Sequence, residues 1–191
     1  MNWFLQTICC FCKQSYIDES VNPTTYTSAG VFFTNDTLFL GGYQTIDEDT
    51  FISGIGGTKE DGETYMDTAL REMIEEIFDT VDVPKDLIDT LKRRFPPHIV
   101  FQQYTYIIAT YSFKDLEKML KVISKFGLKS RLYDTIPTTL YELVLFRYPT
   151  KDSEITQFLL LPLNLPRQFT KSVHKELKED IEAYKQILAK K

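Results

Sequence analysis

Three glutamates on one short segment have the residue type and the spacing that metal-dependent chemistry requires. Glu72 and Glu76 are four positions apart, and Glu75 follows Glu72 by three. On a helix these intervals place all three carboxylates on one side, where their repulsion is unfavourable unless a cation lies among them. Carboxylate oxygens and water in octahedral geometry suit Mg²⁺, with Mn²⁺ as the substitute. The segment therefore predicts a divalent metal site.

The residues before these glutamates extend the pattern. Gly57 is followed after five residues by Glu63, and Glu63 is followed after seven residues by Arg71. The carboxylate of Glu63 can reach Arg71 and fix the loop against the helix, so Gly57 and Glu63 are predicted to orient that loop. With the glutamates that follow, the segment resembles the Nudix box, and the match holds at every position from Gly57 to Glu76.

The resemblance implies a hydrolase of pyrophosphate linkages, in which the metal neutralises phosphate charge and activates a water molecule. It implies that Glu72, Glu75 and Glu76 bind the metal, that the backbone carbonyl of Gly56 adds a ligand, and that one glutamate is the general base. That base is Glu72 in one version of the family mechanism and a glutamate outside the box in another. Three residues are candidates for the second version, in decreasing order of preference: Glu154, Glu142 and Glu117. The predicted catalytic set is Arg71, Glu72, Glu76 and Glu154.

One part of the segment departs from the family pattern. Phe78 stands where the family has a glycine, and Asp79 replaces an aliphatic residue. Because Phe adopts the left-handed conformation of a helix end only with strain, we expect the helix to run on or to bend differently. Without the preceding glycines and Glu63, the same acidic face would be typical of a solvated surface helix.

The substrate is not determined by the box, and three hypotheses stay open. The first is a small nucleoside diphosphate linked to another moiety, the second is the cap of an RNA, and the third is a non-catalytic scaffold that binds a ligand or partner. Tyr43 and Phe51 are predicted to stack on the substrate, although core packing is the commoner role of such residues. Six basic residues are candidates for extra phosphates: Lys59, Arg93, Arg94, Lys129, Arg131 and Arg147.

The elements that must position these residues follow from local patterns. Residues 27–40 form a predicted hairpin around Asn35 and Asp36, residues 44–50 a polar connection, and residues 54–57 a glycine-rich loop. Helices are predicted after Thr64 and over residues 84–95, 114–126 and 171–188, and strands over residues 99–113, 140–148 and 155–161. Mixed helices and strands predict an α/β fold, and the resemblance implies a Nudix-type α/β/α sandwich with a mixed central sheet.

Length and composition set broader limits. A chain of 191 residues with 43% hydrophobic residues suits one domain, with residues 1–25 as an N-terminal extension and 114–148 as an insertion-like segment. A net charge of −5 argues against non-specific binding of long nucleic acids. Three clustered cysteines, Cys9, Cys10 and Cys12, lack a fourth partner and nearby histidines, so neither a disulfide framework nor a zinc site is predicted. We expect a cytoplasmic protein without a membrane segment; the sequence does not predict its oligomeric state.

Overall fold

The computed structural model describes residues 16–18, 21–46, 49–148, 150, 153–169 and 171–190. The three cysteines and most of the predicted N-terminal extension lie outside these residues. The strands are β1 (Tyr16–Ile17), β2 (Ser28–Thr34), β3 (Leu38–Ile46), β4 (Asp49–Ser53), β5 (Ile55–Thr58), β6 (Ile99–Gln103), β7 (Tyr106–Ser112) and β8 (Ile155–Pro162). The helices are α1 (Tyr65–Phe78), α2 (Lys85–Arg94), α3 (Phe113–Ile123), α4 (Leu140–Leu145) and α5 (Lys175–Ala189).

The strands form one mixed sheet in the order β1-β6-β7-β2-β3-β4, with β5 paired to β2 and β8 paired to β3. Two pairs, β1 with β6 and β2 with β7, are parallel, and the others are antiparallel. The hairpin of β2 and β3 pairs at Thr34 and Phe39 and then opens, so that β5 pairs with the free edge of β2. This opening brings the glycine-rich strand β5 into the centre of the fold.

Helices cover both faces of the sheet. Along β2 the buried side chains alternate, because Val31 and Phe33 contribute to a large hydrophobic cluster with α1 to α4, whereas Phe32 contributes to a second cluster with α5. The layers and the mixed sheet confirm the predicted α/β class. None of the described helices combines the length and the apolar character that a membrane span requires.

Three local predictions were wrong. Of the predicted polar connection, residues 44–46 end β3 and residues 49–50 begin β4, and these two strands pair antiparallel. Residues 55–57 of the predicted glycine-rich loop belong to strand β5, because the edge of β2 offers them partners; Gly54 lies outside the strand. Residues 140–148 do not form a strand: Thr139 caps α4 by accepting a hydrogen bond from the amide of Glu142, and Leu143 buries the inner face.

Other predictions were confirmed with small shifts. The hairpin turns at Asp36, which has a positive φ of 66°. The strand region 99–113 divides into β6 and β7 around Tyr104, whose φ is 53°. The predicted helices correspond to α1, α2, α3 and α5. Part of the predicted N-terminal extension, Tyr16–Ile17, adds a short strand parallel to β6.

Candidate active site

Helix α1 carries the candidate acids and is fixed at its first turn. The side chain of Thr64 accepts a hydrogen bond from the amide of Asp67, and the carboxylate of Asp67 accepts one from the amide of Thr64, which makes a reciprocal cap. Lys92 of α2 donates to the same carboxylate at 2.6 Å. Apolar residues on one stripe of α1 are buried in the core: Ala69, Leu70, Met73 and Ile77. Burial of that stripe sets the rotation of the helix and turns its acids toward β5.

Arg71 joins the acidic residues into one network. Its Nε donates to Glu63 at 2.7 Å, and its Nη1 donates to both Glu72 and Glu75 at 2.8 Å. Its Nη2 donates to the backbone carbonyl of Thr58 in β5 at 2.7 Å. Burial by itself would lower the pKa of Arg71, but the surrounding carboxylates raise it well above its ordinary value. The guanidinium is therefore a permanent cation that ties the loop and β5 to the helix, with Glu63 where the sequence analysis expected it.

Glu76 is the most deeply buried of the candidate metal ligands. Its side-chain oxygen accepts a hydrogen bond from the amide of Gly56 at 2.9 Å. Burial raises the pKa of Glu76 well above its ordinary value, and the nearby carboxylate of Glu154 raises it further. Burial also raises the pKa of Glu72 and of Glu75, although Arg71 opposes the shift. A cation among these residues would stabilise their charged forms.

The acids line one cavity of about 350 Å³ together with the residues after α1. Its walls are Glu60, Glu72, Glu75, Glu76, Asp79, Thr80, Val81, Ser153 and Glu154. Glu154, the first choice for the outside base, thus lies with the candidate metal ligands, and its Oε1 accepts a hydrogen bond from Gln44 at 2.6 Å. Glu142 instead lines another cavity, and Glu117 accepts a hydrogen bond from the amide of Leu140.

The chemistry of this cavity fits a hard divalent cation, because five glutamates line it and Mg²⁺ prefers oxygen ligands. In the arrangement described, Arg71 holds Glu72 and Glu75, and the amide of Gly56 holds Glu76. No group of three or more His, Cys, Asp or Glu side chains in the described residues is already arranged to enclose an ion. Glu72, Glu75 and Glu76 each keep one side-chain oxygen without a donor among the described residues.

Two glycines of β5 allow its close approach to neighbouring elements. A Cβ at Gly57 would collide with the carboxylate of Glu72, and a Cβ at Gly56 would collide with Gly30 and with the hydroxyl of Tyr106. Gly56 also has a φ of 154°. Gly57 therefore leaves the space that Glu72 occupies, and Gly56 leaves the space between β5 and β2.

The two aromatic residues predicted to bind substrate do not line the acidic cavity. Tyr43 packs against the hydrophobic cluster of α5. Phe51 is half-buried, and its ring meets that of His174 edge-on with 5.8 Å between the centroids. Phe51 is paired in register with Gln44, the residue that contacts Glu154. Directly paired residues lie on the same face of the sheet. Of the two aromatic residues, Phe51 is therefore the one whose side chain lies on the same face as that of Gln44.

The contacts of two residues, Gln44 and Arg147, were not predicted from the sequence. Gln44 lies in a stretch expected to be a connection, and its contact with Glu154 spans 110 positions. Arg147 was a candidate for binding extra phosphates, but it is only 8% exposed and donates to the backbone carbonyls of Glu76, Ile77 and Ile155. No local pattern predicts either contact, because each joins segments that are far apart in the chain.

The sequence was also compared with known proteins. No protein-family model matches the chain, and no curated protein matches it.

Proposed function

We propose that this protein is a magnesium-dependent hydrolase that cleaves the pyrophosphate linkage of a nucleoside diphosphate joined to another moiety. The observation that carries the proposal is the convergence of Glu72, Glu75, Glu76 and Glu154 on one cavity beside the cation of Arg71. The spacing of the first three, which resembles the Nudix box, agrees with this geometry. The cysteine pattern supports a cytoplasmic location.

The residues would divide the work in the following way. Glu72, Glu75 and Glu76 would hold Mg²⁺, with the carbonyl of Gly56 as a further ligand. The bound ion supplies charge neutralisation at the phosphates and lowers the pKa of a coordinated water. Glu154 would accept the proton of the attacking water, because one of its oxygens is held by Gln44 while the other has no donor among the described residues.

Hydrolysis tests the proposal directly. The wild-type protein is incubated with Mg²⁺ or Mn²⁺ and a panel of nucleotide sugars, dinucleoside polyphosphates, diphosphoinositol phosphates and capped RNA, and phosphate-bearing products are measured. We expect turnover of at least one class and a loss on the order of a hundredfold or more in Glu76→Gln and Glu154→Gln. Glu182→Gln, at an exposed position of α5, is the matched control.

The Glu76→Gln substitution removes the charge but keeps the hydrogen bond, because the side-chain oxygen of glutamine can still accept a hydrogen bond from the amide of Gly56. The fold should therefore survive while the charge is lost. Absence of turnover on every substrate with either metal would refute the enzymatic proposal and favour the binding scaffold.

A further inference from the structure

A second cavity of the described residues lies outside the acidic site. It measures about 580 Å³ and is formed by α4 and the segments that precede and follow it. Its lining combines apolar and polar side chains: Tyr133, Asp134, Thr135, Ile136, Pro137, Thr138, Glu142, Leu145, Phe146, Arg147 and Tyr148. Cavities of this size and composition are typical of small-molecule sites. The residues proposed for hydrolysis do not lie in this cavity.

Aromatic residues stand exposed in and beside this cavity. Tyr141, Phe146 and Tyr148 are 63%, 58% and 51% exposed, and Leu145 between them is 58% exposed. The rings of Tyr141 and Phe146 meet edge-on with 5.8 Å between their centroids. Large apolar groups clustered on a surface mark binding sites more often than single exposed residues do. Rings of this kind offer stacking surfaces for a planar ligand.

Two carboxylates in the lining are fixed by hydrogen bonds that leave an oxygen available. Oδ2 of Asp134 accepts a hydrogen bond from the hydroxyl of Tyr148 at 2.7 Å. Oε2 of Glu142 accepts hydrogen bonds from the amide and the hydroxyl of Thr138 at 2.7 and 3.1 Å. The other oxygen of each carboxylate has no donor among the described residues. Each can accept from a ligand that presents N–H groups.

These acceptors distinguish between the nucleobases. A carboxylate pairs best with a ring N–H next to an amino group, and guanine presents that arrangement on its Watson–Crick edge. Adenine and cytosine place a bare ring nitrogen, an acceptor, beside the amino group and would meet the carboxylate with repulsion. An aromatic cavity with fixed carboxylates is therefore complementary to guanine in both stacking and hydrogen bonding.

The cavity and the acidic site lie against the same turn of α1. Arg147 lines the cavity and donates to the backbone carbonyl of Glu76, whose side chain lines the acidic site. Tyr133, also in the lining, meets the ring of Phe78 edge-on. Along the chain, five residues lead from Tyr148 in this cavity to Ser153 in the acidic one, which limits their separation to about 17 Å.

We propose that this cavity binds the guanine base of a substrate whose diphosphate enters the acidic site. The inference rests on the proposed function, because it assigns a substrate class to the same reaction. Guanine joined to a diphosphate occurs in small nucleotides and in the 5′ cap of RNA, and the lining recognises the base that both share.

Binding of uncleavable nucleotides tests the site independently of hydrolysis. Guanosine and adenosine α,β-methylene diphosphates are titrated into the protein with Mg²⁺ present and followed by calorimetry. We expect the guanosine compound to bind at least about fivefold more tightly. Asp134→Asn should reduce this preference to within about twofold, and Phe146→Ala should weaken both ligands by about fivefold or more. Tyr104→Ala is the matched control, because Tyr104 is 84% exposed and does not line the cavity.

Equal affinity for the two compounds, or guanine preference untouched by Asp134→Asn and Phe146→Ala, would overturn the inference. The proposed function is judged separately by turnover: hydrolysis without guanine preference rejects the base site alone, whereas guanine binding without hydrolysis rejects the enzyme alone. Competition by a GDP-linked sugar and by a short capped RNA then identifies the source. Tighter competition by the RNA supports a cap ligand, and equal competition supports a small nucleotide.

Discussion

The guanidinium of Arg147 donates a hydrogen bond of 2.9 Å to the backbone carbonyl of Glu76, 71 positions earlier in the chain. The same group also donates to the carbonyls of Ile77 and Ile155, and it lies 4.7 Å from the ring centroid of Phe158. The last carbonyls of a helix lack partners within the helix. Arg147 therefore supplies donors to the end of α1 and joins it to β8, next to a candidate metal ligand.

Replacing Arg147 by lysine should destabilise the fold by about 2 to 3 kcal/mol. Lysine keeps the charge but cannot reproduce the planar fork that reaches three carbonyls, so at least one buried acceptor loses its partner. Urea denaturation measures the change. Arg131→Lys serves as the control: the side chain of Arg131 is 70% exposed and pairs with Asp79, and we expect a change below about 1 kcal/mol. Equal effects of the two substitutions would contradict this role for Arg147.

Phe78→Gly, which restores the glycine of the family pattern, should destabilise the protein by about 4 kcal/mol. Phe78 is fully buried in the last turn of α1, and the left-handed conformation falls on Asp79, with a φ of 50°. The glycine would thus remove core packing without relieving strain. Thermal or urea unfolding measures the loss.

Asp79→Gly is the complementary change. Glycine relieves the cost of the left-handed conformation, while the exposed ion pair with Arg131 is lost. The two effects are similar in size, so we expect a net change within about 1 kcal/mol. The opposite result, a large loss of stability in Asp79→Gly and a small one in Phe78→Gly, would contradict this assignment. It would indicate that the helix ends one residue earlier, with Phe78 in the left-handed conformation.

The sequence predicted the parts of this molecule whose signals are local. The start of α1 was identified because Thr64 and the apolar stripe of the helix are neighbours in the chain. Residues 140–148 were misassigned because a short run rich in apolar residues fits a strand as well as a helix, and capping by Thr139 decided between them. Gly56 and Gly57 suggested a loop, but the free edge of β2 made their segment a strand.

The residues of the site divide in the same way. The acids of α1 follow from their spacing, and Glu63 follows from its distance to Arg71 along the chain. The contacts of Gln44 and Arg147 could not be predicted, because their partners are 110 and 71 positions away and are met only in the folded chain. The helix was expected to run on or to bend at Phe78; it ends at Phe78, and the left-handed conformation falls on Asp79. Besides Arg147, Ser130 after α3 donates to this end, to the carbonyl of Phe78 at 2.7 Å.

Gly57→Ala should impair the site more than the fold. The added Cβ would collide with the carboxylate of Glu72, a flexible group that can move aside at the expense of its position. A displacement of about 1 Å at a catalytic group costs on the order of a hundredfold in rate, so we expect a loss of that size and weaker Mg²⁺ binding. Gly54→Ala is the control, because its Cβ would meet Leu177 at an ordinary 3.7 Å. Unchanged metal affinity in Gly57→Ala would argue against Glu72 as a ligand.

Asp115 should make stability depend on pH below about 5. Its carboxylate is 2.6 Å from Nε2 of His98 and accepts hydrogen bonds from Ser112 and Lys118. Burial would raise its pKa, but these partners lower the pKa to about 2. Because the folded pKa is below the unfolded one, the stabilisation is present above pH 4 and is lost as the pH falls toward 2.

In Asp115→Asn we therefore expect a loss of about 1 kcal/mol at pH 6, a value that allows for solvent screening around the exposed Lys118. The difference from the wild type should shrink to about half by pH 3. Urea denaturation at a series of pH values measures it, with Asp86→Asn as the control, since Asp86 occupies an exposed first-turn position of α2. A difference that stays constant between pH 6 and pH 3 would show that the carboxylate charge of Asp115 does not stabilise the fold, and that the substitution acts through packing.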